Sequence, residues 1–588
     1  MKKVLFIILS FAALCSCESI YTVKEVGAVN DSDMWSVPDM ARGMLFQSYN
    51  SMPSRPDSFD SNFLDVATDN AVTGILGSDI QLVATGSVTS TFCPISVWDK
   101  CYEQFQNINL FLQKGLTDQT RYEADTEADA STKSQLRGEA LYLRAWWGAY
   151  LLQFHGGRTA DGQALGYPIV TSFVTEEQAA DYSWIKRGTY EECVAQICAD
   201  CDEAAALLPK TATGLYIGRA TSLMAEFVKA RVLFLAACPA YQPESIVSVN
   251  GMASYTVTDE ATYRSKWERA AQQAWKVICL SGEKGYTALK STDLVDMDAN
   301  NLQTPSHFVF RYYYKSNNPE TRHYPPYYFG KAMTVPSQNL VDAFPMKANG
   351  YPITASSSGY DPQNPYSGRD NRLDFVVYHQ GSQFGDGGTL IDVSEGGRDS
   401  ETYMEGSSSG SRTGYYLCKS LSSKNGLLTP TNSTTALHFY PSMRMAEMYL
   451  CLAEASNEAW GPTGKGEGIE LSAYDIVKDI RKKAGGITND EYIESVKGSK
   501  DSFRTLVLNE RRLEFAFENF RFWDLRRCLL PLDETVRGVN VTKDSDGLSF
   551  TYKDVEKRDM NELKDYYLPV PYSEIVKNPK GMINNIGY

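Results

Sequence analysis

The chain has 588 residues with 72 acidic against 57 basic side chains, a formal net charge of −15, and enough length to bury a large core. No extended Lys/Arg cluster occurs, which excludes nucleic acid as a partner, because phosphate neutralisation needs concentrated positive charge. Aromatic residues make up 12%, led by 36 Tyr, and a ring with an apolar face and a polar tip suits binding surfaces and wet clefts.

Met1-Lys-Lys followed by Val4-Leu-Phe-Ile-Ile-Leu9 and Ser-Phe-Ala-Ala-Leu14 has the charged start and short apolar run of an export signal. Its end, Leu14-Cys15-Ser16-Cys17, resembles a lipobox. Cys17 is the better acceptor, because Cys15 would place bulky Leu14 at the cleavage position. Cleavage there gives a signal peptide at 1–16, a lipidated Cys17 with a flexible tether over 17–33, and a body over 34–588. Several acyl chains, palmitate among them, on one cysteine anchor durably where a single chain does not. No later segment has the apolar length to span a bilayer, so the expected state is tethered, not embedded.

Within 34–280 the apolar period predicts helices over Pro38–Tyr49, Val97–Lys114, Thr132–Phe154, Thr189–Leu208, Arg219–Ala237 and Thr262–Leu280. Residues 51–93 read as a long irregular segment, the kind that is functional or disordered. His155-Gly-Gly reads as a glycine stop to its helix. Residues 281–437 are rich in Gly, Ser, Asn, Pro and Tyr, with short strands expected at Phe308–Phe310 and Phe375–Val377. Helices return over 438–588, at Ser442–Glu458, Ala473–Ala484, Ser502–Asn519 and Phe522–Leu529. Paired helices with short turns resemble tetratricopeptide hairpins. The irregular middle speaks against one continuous solenoid, so early and late hairpins are expected to pack together with the loops gathered as a lobe. The fold class expected is mostly α, with a few short strands.

Cys193, Cys198 and Cys201 share one predicted helix, but no second Cys-x-x-Cys and no His accompanies them, so no zinc quartet is visible. Buried thiols are expected for most cysteines, including Cys101, Cys238, Cys279 and Cys451. The five His show no His-Glu-x-x-His, and neither a Gly-x-Ser-x-Gly elbow nor a phosphate-binding Gly-Lys loop occurs. No enzyme activity, cofactor or metal is expected. A glycoside hydrolase is the remote alternative, since carboxylate pairs among 72 acids carry no information.

The most organised stretch is Leu508-Asn-Glu-Arg-Arg-Leu-Glu-Phe-Ala-Phe-Glu-Asn-Phe-Arg-Phe-Trp-Asp-Leu-Arg-Arg527. Glu510, Glu514 and Glu518 recur every four residues on one helical stripe, with Arg511, Arg512, Arg521, Arg526 and Arg527 near enough for pairs at i,i+3 or i,i+4. This pattern resembles the C-terminal signature of the SusD/RagB outer-membrane lipoproteins, with Asn519 where the family often has Gly. Further stretches are similar to the same family in order along the chain: Arg137–Gly157, Pro336–Phe344, Gly368–Leu373, Arg444–Asn457 and Leu568–Tyr588. The resemblance implies a tetratricopeptide-like helical body with a loop-rich ligand face. It also implies a lipid-anchored, surface-exposed place in the outer membrane, an oligosaccharide or in some cases a peptide as ligand, and a SusC-like TonB-dependent transporter as partner. No family residue carries over to the ligand site, so candidates come from composition. They are Arg322, Tyr324, Tyr327 and Tyr328 in the aromatic run Tyr312–Phe329, Asp69, Asn70 and Phe92 in the early loop, and Trp184. Trp98, Trp146, Trp147, Trp275 and Trp523 lie on predicted helices and are expected in the core.

Overall fold

Many helices begin where the sequence supplies a capping side chain. In the computed structural model, Thr189 accepts from the Glu192 N–H (3.1 Å) while the Glu192 carboxylate accepts from the Thr189 N–H (2.7 Å). Thr221 and Asp125 each accept one N–H, from Met224 and Ala128, without the reciprocal bond, and the helix after Asp125 starts six residues before the predicted Thr132. The structure describes residues 31–588 except 213–216, 243–244, 250–252, 257–258, 284, 297–304, 386, 425 and 432. The leader, the lipidation candidate Cys17 and most of the tether lie outside the described residues; 31–33 open a short helix, Asp31–Ser36.

Ten helices form the body's main array: α1 (Pro38–Asn50), α2 (Trp98–Leu110), α3 (Thr126–His155), α4 (Tyr190–Leu207), α5 (Ser222–Ala237), α6 (Glu260–Ser281), α7 (Met445–Trp460), α8 (Ala473–Lys483), α9 (Lys500–Glu514) and α10 (Arg521–Arg527). Each packs on the next in a row: α3 on α4, α4 on α5, α5 on α6, α6 directly on α7, and α7 on α8 and α9. The array is thus continuous in space although 281–437 interrupts it in sequence: early and late hairpins pack together as expected, and only the exclusion of one continuous solenoid is corrected. Mostly helical hairpins with small strand pairs make up the fold.

The interruption is closed at its neck by a ladder. Strand β2 (Phe308–Ser316) pairs antiparallel with β4 (Ala436–Arg444), Ala436 opposite Ser316 and Arg444 opposite Phe308. The ladder also explains why α7 starts at Met445 and not at the predicted Ser442. Phe375 lies in a helical turn, Arg372–Val376, and only Val377–Tyr378 is strand. The early segment 51–93 is neither free nor disordered: Phe63, Leu64, Val66 and Val72 are buried, and β1 (Ala71–Thr73) pairs with β3 (Thr334–Pro336). Near the C-terminus an unpredicted hairpin joins β5 (Val536–Asp544) to β6 (Gly547–Glu556).

Two local readings change in mechanism. α3 does end at His155, but Gly156 has φ −64° and no left-handed turn is made. Space demands glycine instead, since a Cβ at Gly156 would lie 2.4 Å from the Leu152 carbonyl oxygen, and one at Gly157 would lie 2.7 Å from the Asn585 side chain. α9 ends at Glu514, not at Asn519, because Phe517 and Asn519 are left-handed (φ 58° and 67°) and their N–H groups donate to the Asp65 carboxylate (3.1 and 3.2 Å). Asn tolerates that conformation better than other side chains except Gly, so Asn519 in place of Gly follows from backbone geometry.

One apolar cluster runs from Trp35 to Met582, with Trp35, Trp147 and Trp267 among its largest fully buried side chains. The ten described cysteines are all free thiols, and Cys279 is exposed, contrary to expectation. Among the described residues no helix is long and apolar enough to cross a membrane.

Candidate functional site

Two prolines and a glycine set the path of residues 324–333. Pro325 and Pro326 fix φ at the start of one tight turn, in which Tyr328 N–H donates to the Pro325 carbonyl (2.9 Å) and Phe329 N–H to that of Pro326 (2.8 Å). Phe329 then takes φ 63°, rare for a bulky residue, and Ala332 φ 45°. Gly330 lies between them, where a Cβ would meet the Tyr324 carbonyl oxygen at 2.2 Å. Ala332 N–H closes the loop on the Tyr324 carbonyl (3.1 Å), and Met333 N–H on that of Arg322 (2.8 Å). A strained turn so fully bonded is preorganised, and strain of this kind concentrates at ligand sites.

The loop stands on an aromatic base. Tyr328 stacks on Phe384 at 3.8 Å, and Tyr324 meets the same ring edge-on at 5.0 Å. Burial pushes the Tyr328 hydroxyl up to about 12, so it stays a neutral donor. Tyr327, 41% exposed, and Phe329 face outward. Around Tyr327 the segment 390–405 supplies Tyr403 (5.9 Å between rings), the Arg398 guanidinium (5.2 Å from the ring centre) and exposed Leu390 and Met404. Arg398 is held by the Leu390 carbonyl and by Asp399 (3.5 Å), and the Tyr403 hydroxyl donates to Glu405 (3.1 Å). Exposed Ile75 and Leu76 sit on a turn tied to the same loop through Gly74 N–H to the Met333 carbonyl (2.8 Å). The result is a rigid, solvent-facing platform that can stack flat apolar rings and bond their edges through Arg398 and Glu405.

Of the residues expected from sequence, Tyr327 and Tyr328 lie in this platform. Tyr324 is beneath it, buried, with its hydroxyl donating to the Ser422 carbonyl. Arg322 is half-buried and pairs with Asp57. Asp69 and Asn70 are corrected outright: both are buried, and Arg512 and Arg521 hold the Asp69 carboxylate at 3.0 and 2.8 Å. Burial alone would raise the Asp69 pKa, but the two guanidiniums outweigh it and hold the group well below the usual range. Asn70 accepts from Arg512 (2.7 Å) and donates to Asp65 (2.9 Å), which leaves little for a ligand.

Phe92 and Trp184 are placed elsewhere. Phe92 closes a turn beside Ser90, whose carbonyl accepts from Tyr572 N–H (2.9 Å). Trp184 is 45% exposed and lies on a segment clamped by Asn578, which donates to the Tyr182 and Ile185 carbonyls (3.1 and 2.7 Å). Both therefore border the C-terminal segment, apart from the platform. Sequence reasoning missed Phe384, Leu390, Arg398, Tyr403 and Met404. They are scattered through a Gly/Ser-rich run with no period to mark them.

The acids of the charged C-terminal stretch are all occupied. Glu510 accepts from Arg481 (2.7 Å) and Arg372 (2.8 Å), Glu514 from Arg444 (2.7 Å), and Glu518 from Lys419 (2.6 Å) and Arg444 (2.8 Å). The expected neighbour-to-neighbour pairs are largely replaced by long-range ones, although Arg527 does meet Asp524 at i,i+3 (2.7 Å). Through Arg372 and Lys419 these acids grip the irregular middle, not the early helices.

Two family models match this chain: one described as the SusD family over residues 295–588, the other as starch-binding associating with outer membrane over residues 30–233. A SusD-like protein P2 from Formosa agariphila is 32% identical over 176 residues, which is 30% of this chain and 29% of that protein. Among solved structures, a SusD-like protein from Bacteroides fragilis superposes with a TM-score of 0.70 at 22% identity, covering 95% of this chain and 99% of the other. A SusD-like carbohydrate binding protein from the same species gives 0.69 at 19% identity over 93% and 99%. A surface glycan-binding protein A from Bacteroides fluxus gives 0.56 at 17% identity over 94% and 99%.

Proposed function

The chain belongs to the SusD/RagB family, and from that premise we propose that it captures an oligosaccharide at the cell surface and passes it to a SusC-like TonB-dependent transporter in the outer membrane. In this reading Cys17 carries the lipid anchor and the body over 34–588 acts by binding, without turnover. The observation that carries it is the Tyr327–Phe329 platform. Pyranose rings have apolar faces that stack on Tyr327 and Phe329, while Arg398 and Glu405 take up ring hydroxyls. The rigid turn limits the ordering cost of binding. The descriptions of the matching model and of two structural relatives, which name starch, carbohydrate and glycan, support a sugar over a peptide.

Affinity electrophoresis and calorimetry against a panel of neutral polysaccharides, with peptides as the contrasting set, test the reading. Retardation by a glycan that weakens in Tyr327→Ala agrees with it. Binding only to peptides, or release of reducing ends during incubation, contradicts it.

A further inference from the structure

A second opening lies apart from the loop platform and shares no residue with it. It is a cavity of about 160 Å³ between α3, α5, the end of β4, the start of α7 and the Glu518–Arg527 segment, with the early loop at its rim. Cavities of about 150 Å³ hold a single six-membered ring such as benzene. This space therefore holds about one ring, and it is open to solvent on one side.

Its walls are chemically specific. Trp146 stacks on Tyr150 (5.0 Å, 22°), Tyr150 meets Phe154 (4.7 Å), and Phe154 meets Trp523 edge-on (4.6 Å), a continuous aromatic lining. Among the described residues, the indole N–H groups of Trp146 and Trp523, the hydroxyls of Tyr150 and Tyr440, and the Gln153 amide make no hydrogen bond within the protein, yet none is sealed from solvent. An apolar pocket left with five polar handles is matched by a ligand that is apolar on its face and oxygen-rich at its edge.

Most of the charges in the walls are already paired, while Arg55 comes no closer than 4.0 Å to Asp57. Arg231 holds Glu447 through two bonds of 2.6 Å, Arg444 and Lys419 hold Glu518, and Asp524 lies between Arg511 (3.1 Å) and Arg527 (2.7 Å). An ionic ligand would have to compete with these pairs, whereas a neutral one leaves them intact.

We propose that this cavity is a second binding site, selective for one neutral pyranose ring, as a free monosaccharide or as the end of a chain. The indoles and phenols contribute N–H and O–H edges to ring and hydroxyl oxygens, and Gln153 at the half-buried side fixes orientation. This site goes beyond the loop-face reading and does not depend on it.

The test uses the mature full-length chain titrated with neutral hexoses, with a uronic acid and benzyl alcohol as contrasts, followed by tryptophan emission and calorimetry. Saturable binding of a neutral hexose on the order of millimolar is expected, given the few atoms involved. Gln153→Leu and Tyr150→Phe should each weaken it roughly fivefold, about one lost hydrogen bond, and Tyr327→Ala should leave it unchanged. Both wall variants keep the side-chain bulk, and an unchanged melting temperature will show that the fold is kept. Preference for benzyl alcohol or the uronic acid, or hexose affinity indifferent to both wall variants, overturns the assignment. Hexose binding that fails with Tyr327→Ala and not with Gln153→Leu also overturns it, and places the sugar on the loop face alone.

Discussion

The α9–α10 seam and the Tyr324–Met333 loop are both dense in aromatic and polar side chains, and they use them in opposite ways. In the seam every acid of the stripe is buried against a cation: Glu510, Glu514 and Glu518 meet Arg372, Arg444, Arg481 and Lys419, and Asp524 meets Arg511 and Arg527. In the loop, Tyr327 and Phe329 stand in solvent on a backbone closed by its own hydrogen bonds. A ligand needs groups whose bonding is incomplete. Density of functional groups therefore says less about a site than how many of them are left unmatched.

The contrast breaks most visibly at Arg372, which sits between Asp370, Glu510 and Glu514. Arg372→Met leaves buried Asp370 without its cation and takes one of two from Glu510 and Glu514, and should cost about 3–5 kcal/mol of stability. Urea denaturation measures that loss, and the glycan affinity of the remaining folded protein should stay within about twofold. A stable variant with lost affinity would reverse the roles of the two regions.

The next effect belongs to the core. His155 is fully buried, with Nδ1 2.8 Å from the Pro569 carbonyl and Nε2 3.3 Å from the Val97 N–H, an arrangement that suits the neutral ring with its proton on Nδ1. Burial pushes its pKa down from 6.5 to about 4. The unfolded ring takes up a proton at a higher pH than the folded one. Its contribution is thus complete above pH 6.5 and falls by up to about 3 kcal/mol as pH drops toward 4. Denaturation midpoints across that window should slope steeply in the native chain and much less in His155→Gln; equal slopes would contradict the assignment.

On the loop side, Tyr327→Ala should weaken glycan binding about tenfold while changing stability by less than about 0.5 kcal/mol. Calorimetry and thermal melting together read both numbers, and a large stability loss would mean that Tyr327 is packing rather than platform. The smallest effect is expected at Trp184, exposed but remote. Trp184→Ala should move neither glycan affinity nor stability beyond about 0.5 kcal/mol, and a clear affinity loss would extend the site to the C-terminal face.

Helix positions were legible where a strong apolar period marks them, as in α2, α8 and α9, or a cap such as Thr189-x-x-Glu192 does. Boundaries failed where distant groups decide them, as when Asp65 ends α9 by binding the N–H groups of Phe517 and Asn519. The site was half legible. Pro325-Pro-Tyr-Tyr-Phe329 announces a turn bearing aromatics, but only the folded chain brings Arg398 and Tyr403 to it. Asp69 misled for the same reason in reverse, since its guanidinium partners stand more than 400 residues later. Trp146 and Trp523 are core by burial, as expected, and also line a cavity, which periodicity does not reveal.

The most direct measurement is a crystal structure of the mature chain soaked with the oligosaccharide that binds best. Sugar density stacked on Tyr327 and Phe329, with hydroxyls reaching Arg398 or Glu405, is the predicted result. An oligosaccharide bound along the α9–α10 seam or at Trp184, with the Tyr324–Met333 loop bare, would contradict the account.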